Sequence, residues 1–149
     1  MKTDQRRTIA RSIFTSAVKS VQPDSLISNT VTLEGDMLRI SDTILTLRPD
    51  QKVYVFGSGK ASLGMAKSLL TILEERVADG VIVSNHLTGE DLAPLKTVLG
   101  SHPVPDEKSI TGAELLIDGL SRLDSDDFFI YLLSGGSSAL IEKPVNPIT

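Results

Sequence analysis

The chain has 149 residues, a length that fits one domain and allows a hydrophobic core without disulfide bonds or a structural metal. Hydrophobic residues make up 40% of it and charged residues 23%, which is typical of a globular protein, and the absence of cysteine excludes disulfides, thiolate metal sites and a cysteine nucleophile. The net charge of −4 and the aromatic content of 4% argue against a nucleic-acid partner, which requires a basic surface and stacking side chains.

The first predicted element is an amphipathic helix between Asp4 and Ser20. Its apolar residues recur at a helical period, namely Ile9, Ile13, Phe14, Ala17 and Val18. Pro23 is expected to end it, because proline lacks the N–H group that would continue the helix. This stretch has no apolar block of the secretory kind, and no apolar run in the chain is long enough to cross a bilayer. We therefore expect a cytoplasmic protein with no membrane partner.

A β-hairpin is predicted to follow over residues 30–47. Apolar residues alternate with polar ones on both sides of the turn: Val31, Leu33, Leu38 and Ile40. The turn falls at Gly35, which tolerates the positive φ that tight hairpin turns need.

Strands and helices alternate from residue 51 onward. Short apolar runs predict strands at 53–56, 81–83, 97–99 and 128–133. Helical spacing predicts one helix over about 61–76 and another around 115–120, with an acidic start at Asp106 and Glu107. This alternation predicts an α/β fold, a three-layer domain with a mostly parallel sheet, preceded by the amphipathic helix and the hairpin. Because the chain stops at Thr149, soon after the last predicted strand, we expect a fragment or a truncated gene product.

Two glycine-containing loops follow predicted strands. They are Gly57-Ser58-Gly59-Lys60 and Ser134-Gly135-Gly136-Ser137-Ser138. Ligands of open parallel sheets bind at the carboxyl ends of the strands, where glycine lets the backbone approach an anion closely. The loop N–H groups and the serine hydroxyls are therefore predicted to bind phosphate or carboxylate. Either loop taken alone is equally consistent with a tight strand-to-helix turn.

The first loop matches neither of the two best-known phosphate-loop patterns. Tyr54 and Ala61 stand where a P-loop requires glycine and Ser or Thr, and Ser62 stands at the third glycine of the dinucleotide fingerprint. Lys60 nevertheless points to an anion, because a lysine at the start of a helix opposes the helix dipole. The alternative is a lysine that simply faces solvent.

A third loop, Gly100-Ser101-His102-Pro103-Val104-Pro105-Asp106, follows the strand at 97–99. Its two prolines stiffen the backbone around His102. An imidazole in this position would bind a carboxylate or transfer a proton, and the alternative is a histidine packed beneath a rigid turn. Asp106 is expected to cap the following helix. His86 is isolated in the sequence and receives no role.

Three segments taken together resemble the class II glycerate 2-kinases, some relatives of which are labelled hydroxypyruvate reductases. They are Val55-Phe56-Gly57-Ser58-Gly59-Lys60-Ala61, the loop from Gly100 to Asp106, and Leu133-Ser134-Gly135-Gly136-Ser137-Ser138-Ala139-Leu140. The resemblance implies transfer of the γ-phosphoryl group of ATP to D-glycerate, normally giving 2-phosphoglycerate, with Mg²⁺ as the metal. It also implies that residues 1–149 form a Rossmann-like amino-terminal domain of a two-domain kinase whose carboxyl-terminal domain this chain lacks.

The same resemblance implies roles for individual residues. Lys60 matches the family's glycine-loop lysine and is the expected catalytic residue. The second glycine loop matches a family loop that faces the same cleft, although Ser137 stands where the family has glycine. The metal ligands are not placed; Glu142 is a candidate, and the alternative is that it is a surface carboxylate. Because further catalytic residues belong to the second domain, we expect no kinase turnover from the 149 residues alone.

Two other functions compete with this interpretation. A phosphosugar-binding module of the sugar-isomerase type also places serine-rich loops at strand ends, and it would need neither ATP nor Lys60. A nicotinamide oxidoreductase is less consistent with the sequence. The acidic residue expected to bind the ribose is not convincing, because Asp79 precedes the second predicted strand instead of ending it. The oligomeric state stays open.

Overall fold

The computed structural model describes residues 3–145 and confirms the predicted α/β fold class. The elements are, in chain order, α1 (Thr3–Ser20), α2 (Pro23–Thr30), β1 (Val31–Glu34), β2 (Met37–Ile40), β3 (Thr43–Thr46), β4 (Val53–Ser58), α3 (Ser62–Leu73), a 3₁₀ turn (Glu74–Arg76), β5 (Val77–Ser84), β6 (Leu95–Leu99), α4 (Glu107–Ser121), β7 (Phe128–Leu133) and α5 (Ser137–Leu140).

The centre of the domain is a four-stranded parallel sheet in the order β6-β5-β4-β7. The four strands predicted downstream of residue 51 are present, and β4, β5 and β6 extend beyond the apolar runs that predicted them. The chain passes from β4 to β5 and β6 on one side, and β7 then pairs with the other side of β4. The strand order therefore reverses between β4 and β7, and such a switch point is the usual ligand site of an open α/β sheet.

Helices cover both faces of this sheet. On one face, α3 packs with α2 and the first three strands around fully buried side chains that include Leu69 and Ile82. On the other face, α4 packs around Phe56, Val83 and Leu116. Burial of each such side chain stabilises the fold by about 1.5–3 kcal/mol, so these two clusters hold the three layers together.

The amino-terminal region differs from the prediction in two places. α1 ends at Ser20, and Pro23 begins α2 instead of closing the helical region. Proline is favoured at the first position of a helix because the N–H that it lacks would have no partner there. The predicted hairpin is a three-stranded antiparallel meander, β1-β2-β3, in which Gly35 takes a φ of 60° at the first turn. The hairpin was confirmed, but its third strand was missed.

α1 forms as predicted, but its apolar stripe is exposed. Ile13 and Phe14 are 66% and 71% exposed, and every residue from Asp4 to Ser20 is exposed to solvent. Helical periodicity therefore predicted the element correctly without predicting its burial. Within residues 3–145, no helix combines the length and the apolar character that crossing a membrane requires.

Arg76 ties the meander to the parallel sheet. Its guanidinium group donates to the carbonyl oxygens of Arg48 (3.0 Å) and Pro49 (2.9 Å) and pairs with the carboxylate of Asp36. Asp36 lies at the turn between β1 and β2, whereas Arg76 immediately precedes β5. The planar array of guanidinium donors therefore links the two sheets, a role that the point charge of lysine does not reproduce.

Candidate functional site

The two glycine loops lie side by side at the switch point between β4 and β7. The two strands end in register, with Ser58 opposite Leu133. The Ser134 N–H donates to the Ser58 carbonyl oxygen (3.1 Å), and the Lys60 N–H donates to the Gly135 carbonyl oxygen (2.9 Å). The shared sheet edge followed from the sequence, and the structure adds that each loop is hydrogen-bonded to the other.

The first glycine loop uses its N–H groups within the protein. The Gly59 N–H donates to the Val83 carbonyl oxygen (3.1 Å), and the Ala61 N–H donates to Ser134 Oγ (3.0 Å). The Lys60 N–H is hydrogen-bonded to the second loop, so none of these three N–H groups is free to bind a ligand. What this loop offers to a ligand is the exposed side chain of Lys60.

Two residues explain the tight turn of the first loop. Gly59 has a φ of 130°, and a Cβ at this position would lie 2.6 Å from the Ser134 carbonyl oxygen, so only glycine fits. Ser62 is fully buried, with its Oγ 2.7 Å from the Gly59 carbonyl oxygen and 3.0 Å from that of Val83. The hydroxyl of Ser62 closes the turn, which is why serine can stand where dinucleotide-binding loops have glycine.

The second glycine loop leaves N–H groups unpaired. Those of Gly135 and Gly136 make no hydrogen bond with the part of the chain that the structure describes. A Cβ on Gly135 would have no heavy atom within 4 Å apart from its own chain neighbours, so a ligand can approach this backbone closely. Gly136 has a φ of 90°, a left-handed conformation that other residues rarely adopt. Adjacent N–H groups in such a turn can converge on one oxyanion.

Lys60 and His102 converge on Gly136. A Cβ on Gly136 would lie 3.0 Å from Lys60 Cε and 3.0 Å from His102 Cδ2. Lys60 is exposed and His102 is half-buried. The structure thus brings together all three sequence motifs, and it places an ammonium group and an imidazole beside the unpaired N–H groups of the second loop.

The serine hydroxyls are not equivalent. Ser58 is fully buried, and its Oγ lies 2.7 Å from Tyr131 Oη and 2.5 Å from Ser137 Oγ. The hydroxyls of Ser58 and Ser137 therefore fix the second loop onto β4, and the Ser134 hydroxyl fixes it onto the first loop. Ser138 is exposed, and its hydroxyl makes no hydrogen bond with residues 3–145. Ser138 is thus the serine of this loop whose hydroxyl is accessible to a ligand.

Asp106 caps α4, as predicted. Its side chain accepts from the Lys108 N–H (2.8 Å), and its own N–H donates to Ser109 Oγ (3.4 Å), which completes a capping box. Interaction with the Ser101 side chain first, and the hydrogen bond from the Lys108 N–H second, hold the pKa of Asp106 below its usual range. The cap therefore anchors the end of the loop that contains His102.

Sequence reasoning missed two residues that position the site. Ser109 is fully buried, and its hydroxyl donates to the Ala139 carbonyl oxygen (2.8 Å), which joins the start of α4 to α5. Tyr131 supplies the phenolic hydroxyl that Ser58 contacts. Tyr131 is marked in the sequence as a hydroxyl inside the apolar run 128–133, whereas Ser109 lies in a mostly polar stretch and gives no such signal. The partners of both residues lie far away along the chain.

The described residues form no cluster of metal ligands. Among residues 3–145, no group of three or more His, Asp or Glu side chains is placed to hold a metal ion. Glu142 is exposed, and its backbone N–H donates to the Ser109 carbonyl oxygen (3.4 Å). Asp79 was expected to precede the second strand, but it lies within β5, where its carboxylate accepts from the Gly80 N–H (2.7 Å). It is therefore remote from the carboxyl edge of the sheet.

Two of the cavities formed by residues 3–145 bear on the position of the site. One, of about 440 Å³, is situated between the sheet and α4 toward the amino ends of the strands, and it includes Tyr54, Lys96 and Arg122 but no residue of the glycine loops. The other, of about 310 Å³, includes Lys60 and His86. The smaller cavity is therefore the one that adjoins the converging loops.

Comparison with known proteins links this arrangement to one family. Residues 9–149 match a family described as a domain of unknown function, DUF4147. The chain is 35% identical over 143 residues to a glycerate 2-kinase from Pyrococcus horikoshii, and the match covers 96% of this chain and 32% of that protein. It is 32% identical to a glycerate kinase from Rattus norvegicus, over 94% of this chain and 29% of the relative. A putative hydroxypyruvate reductase from Agrobacterium vitis is 31% identical, over 96% of this chain and 30% of the relative.

Two solved structures share the fold. A crystal structure of a protein from Pyrococcus horikoshii OT3 superposes with a TM-score of 0.85 at 35% identity, over 96% of this chain and 32% of the other. A glycerate kinase from Thermotoga maritima superposes with a TM-score of 0.78 at 24% identity, over 98% of this chain and 32% of the other. The chain thus spans about a third of the length of these relatives.

Proposed function

The chain belongs to the DUF4147 family, as its resemblance to the class II glycerate kinases predicted, and we propose that it serves ATP-dependent phosphorylation of D-glycerate to 2-phosphoglycerate. Relatives named glycerate kinase support this function. Because the chain spans about a third of their length, we propose it as the amino-terminal domain of a two-domain kinase.

One observation supports the proposal above the others. The side chains of Lys60 and His102 flank Gly136, beside the unpaired N–H groups of Gly135 and Gly136. Two backbone donors and an ammonium group are the kind of site that phosphate oxygens prefer, since hydrogen bonds to a charged acceptor are stronger than those to a neutral one. The donor set therefore fits a phosphate group.

ATP supplies the γ-phosphoryl group in this reaction. Lys60 would compensate the negative charge on the transferring group, and the second-loop N–H groups would bind its oxygens. Phosphoryl transfer depends mainly on positioning and charge stabilisation, so these donors matter as much as any acid or base. His102 would bind an anionic oxygen or move a proton at the same position.

The positioning is built into the fold. The hydrogen bonds between the two loops, together with the buried contacts of Ser58 with Tyr131 and Ser137, fix the second loop before any ligand binds. Donors that are already oriented need no reorganisation at the moment of reaction, which is the main source of electrostatic catalysis.

Isothermal titration calorimetry of the 149-residue chain with ATP–Mg²⁺ tests the proposal. We expect Lys60→Ala to weaken ATP binding by about 10-fold or more, because a charge-assisted hydrogen bond contributes about 1.5–3 kcal/mol. Lys96→Ala is the matched control, since Lys96 is exposed in the amino-terminal half of β6, and it should leave the affinity unchanged.

Thermal-shift titration distinguishes the kinase from the phosphosugar-binding module. ATP–Mg²⁺ and D-glycerate should each raise the unfolding temperature, because a ligand that binds only the folded state stabilises it. Stabilisation by a hexose phosphate without any effect of ATP or glycerate would contradict the kinase function and favour the binding module.

A further inference from the structure

The cavity that adjoins Lys60 includes no residue of the second glycine loop. It has a volume of about 310 Å³ and lies between the start of α2, the start of α3 and the loop after β5. Its ionisable side chains are Lys60, Lys67, His86 and Glu90. Small-molecule sites typically measure about 300–1,000 Å³, so this cavity suits a small ligand better than a nucleotide.

Two of these side chains neutralise each other. The Lys67 Nζ lies 2.9 Å and 2.8 Å from the two carboxylate oxygens of Glu90. The carboxylate that would otherwise repel an anion is thus compensated. Lys60 makes no side-chain hydrogen bond or ion pair with the described residues, so its positive charge is available to a ligand in the cavity.

His86 completes the binding groups. Its Nδ1 lies 3.0 Å from Asn85 Oδ1, and its Nε2 has no hydrogen-bond partner within residues 3–145. Because the amide oxygen of Asn85 can only accept, Nδ1 donates to it and Nε2 is left to accept a hydrogen bond from a hydroxyl group. A small hydroxy acid presents such a hydroxyl, together with a carboxylate that the ammonium group of Lys60 can bind.

We propose that this cavity is the subsite of the acid substrate, where Lys60 and His86 bind the carboxylate and hydroxyl groups of D-glycerate; the assignment rests on the proposed kinase function. Lys60 both lines the cavity and contacts the position of Gly136, so it lies between the acid and the second glycine loop. His86 then selects the acid, whereas His102 belongs to the phosphate side of the site.

NMR spectroscopy of the untagged chain provides a direct readout, because the sequence contains two histidines. His86→Gln and His102→Gln assign the two imidazole signals in a ¹H–¹³C spectrum. Addition of D-glycerate should shift the His86 signal. In calorimetry, His86→Ala should weaken D-glycerate binding by about 2- to 10-fold and leave the ATP affinity unchanged. Leu87→Ala is the control, because the exposed Leu87 does not line this cavity, and it should change neither affinity.

The outcomes separate the subsite from the function. If Lys60→Ala weakens D-glycerate binding but His86→Ala does not, the assignment of this cavity as the acid subsite is wrong and the kinase proposal stands. If His86→Ala weakens ATP instead, the cavity takes the nucleotide and the subsite is again wrong. If the wild-type chain binds neither ligand, both proposals fail.

Discussion

Replacement of Gly136 by alanine probes the geometry of the site most directly. The left-handed conformation at a φ of 90° costs a non-glycine residue about 1–2 kcal/mol, and the lower entropy of the unfolded alanine variant offsets about 0.4–1 kcal/mol of this. The new Cβ would also lie 3.0 Å from Lys60 Cε and from His102 Cδ2, so both side chains must shift. We expect a net loss of about 1 kcal/mol, which lowers the unfolding temperature by about 2–4 °C in a chain of this size.

Gly135→Ala is the matched control for this prediction. Gly135 has no positive φ within the left-handed range, and its Cβ would enter open space. Its unfolding temperature should stay the same or rise slightly, because alanine reduces the entropy of the unfolded chain. Thermal unfolding followed by circular dichroism gives the comparison, and the His102 NMR signal should move only in Gly136→Ala. Equal unfolding temperatures for the two variants would refute the left-handed loop and the convergence of Lys60 and His102 upon it.

Three further predictions concern residues that support the site. In urea denaturation, Ser58→Ala should lower the free energy of unfolding by about 1–3 kcal/mol, because it leaves the hydroxyls of Tyr131 and Ser137 without their buried partner. Ser138→Ala is the control: Ser138 is exposed, and the variant should change the free energy of unfolding by less than about 0.5 kcal/mol. The lowered pKa of Asp106 means that its carboxylate stabilises the fold above the usual aspartate pKa and loses this effect as pH falls through the lower, folded-state pKa. The difference in unfolding temperature between the wild type and Asp106→Ala should accordingly be larger at pH 7 than at pH 2, and a constant difference would contradict the assignment. Arg76→Lys should destabilise the chain by about 1–3 kcal/mol in the same denaturation assay, because lysine cannot make the several directed contacts of the guanidinium group; a neutral effect would show that Arg76 does not join the two sheets.

Much of the fold could be predicted because it follows from local patterns. The β-branched and apolar runs predicted all four strands of the parallel sheet, and helical spacing predicted α1, α3 and α4. The prediction failed at Pro23, because proline can mark either the end or the start of a helix. It is excluded from the interior of a helix but favoured at the first position, and in this chain it begins α2.

The candidate site was predicted only in outline. Parallel topology requires that the loops after β4 and β7 lie at one sheet edge, so their proximity could be inferred from the sequence. The sequence could not show that the N–H groups of the first loop are occupied and those of the second loop are unpaired, because both loops are built from glycine and serine. The partners that occupy the first-loop N–H groups, Val83 and Ser134, lie more distant in the chain than any local pattern reaches.

The sequence by itself determined the α/β alternation, the sheet edge and the identity of Lys60, His102 and the two glycine loops, since strand and helix periodicity and glycine content are local properties. The tertiary structure decided which N–H groups stay unpaired, which serines are structural, and that Lys60 and His102 meet at Gly136. It also gave His86, isolated in the sequence, a place in a cavity with Lys60. These features depend on packing between segments that are distant in the chain, and no local pattern encodes that packing.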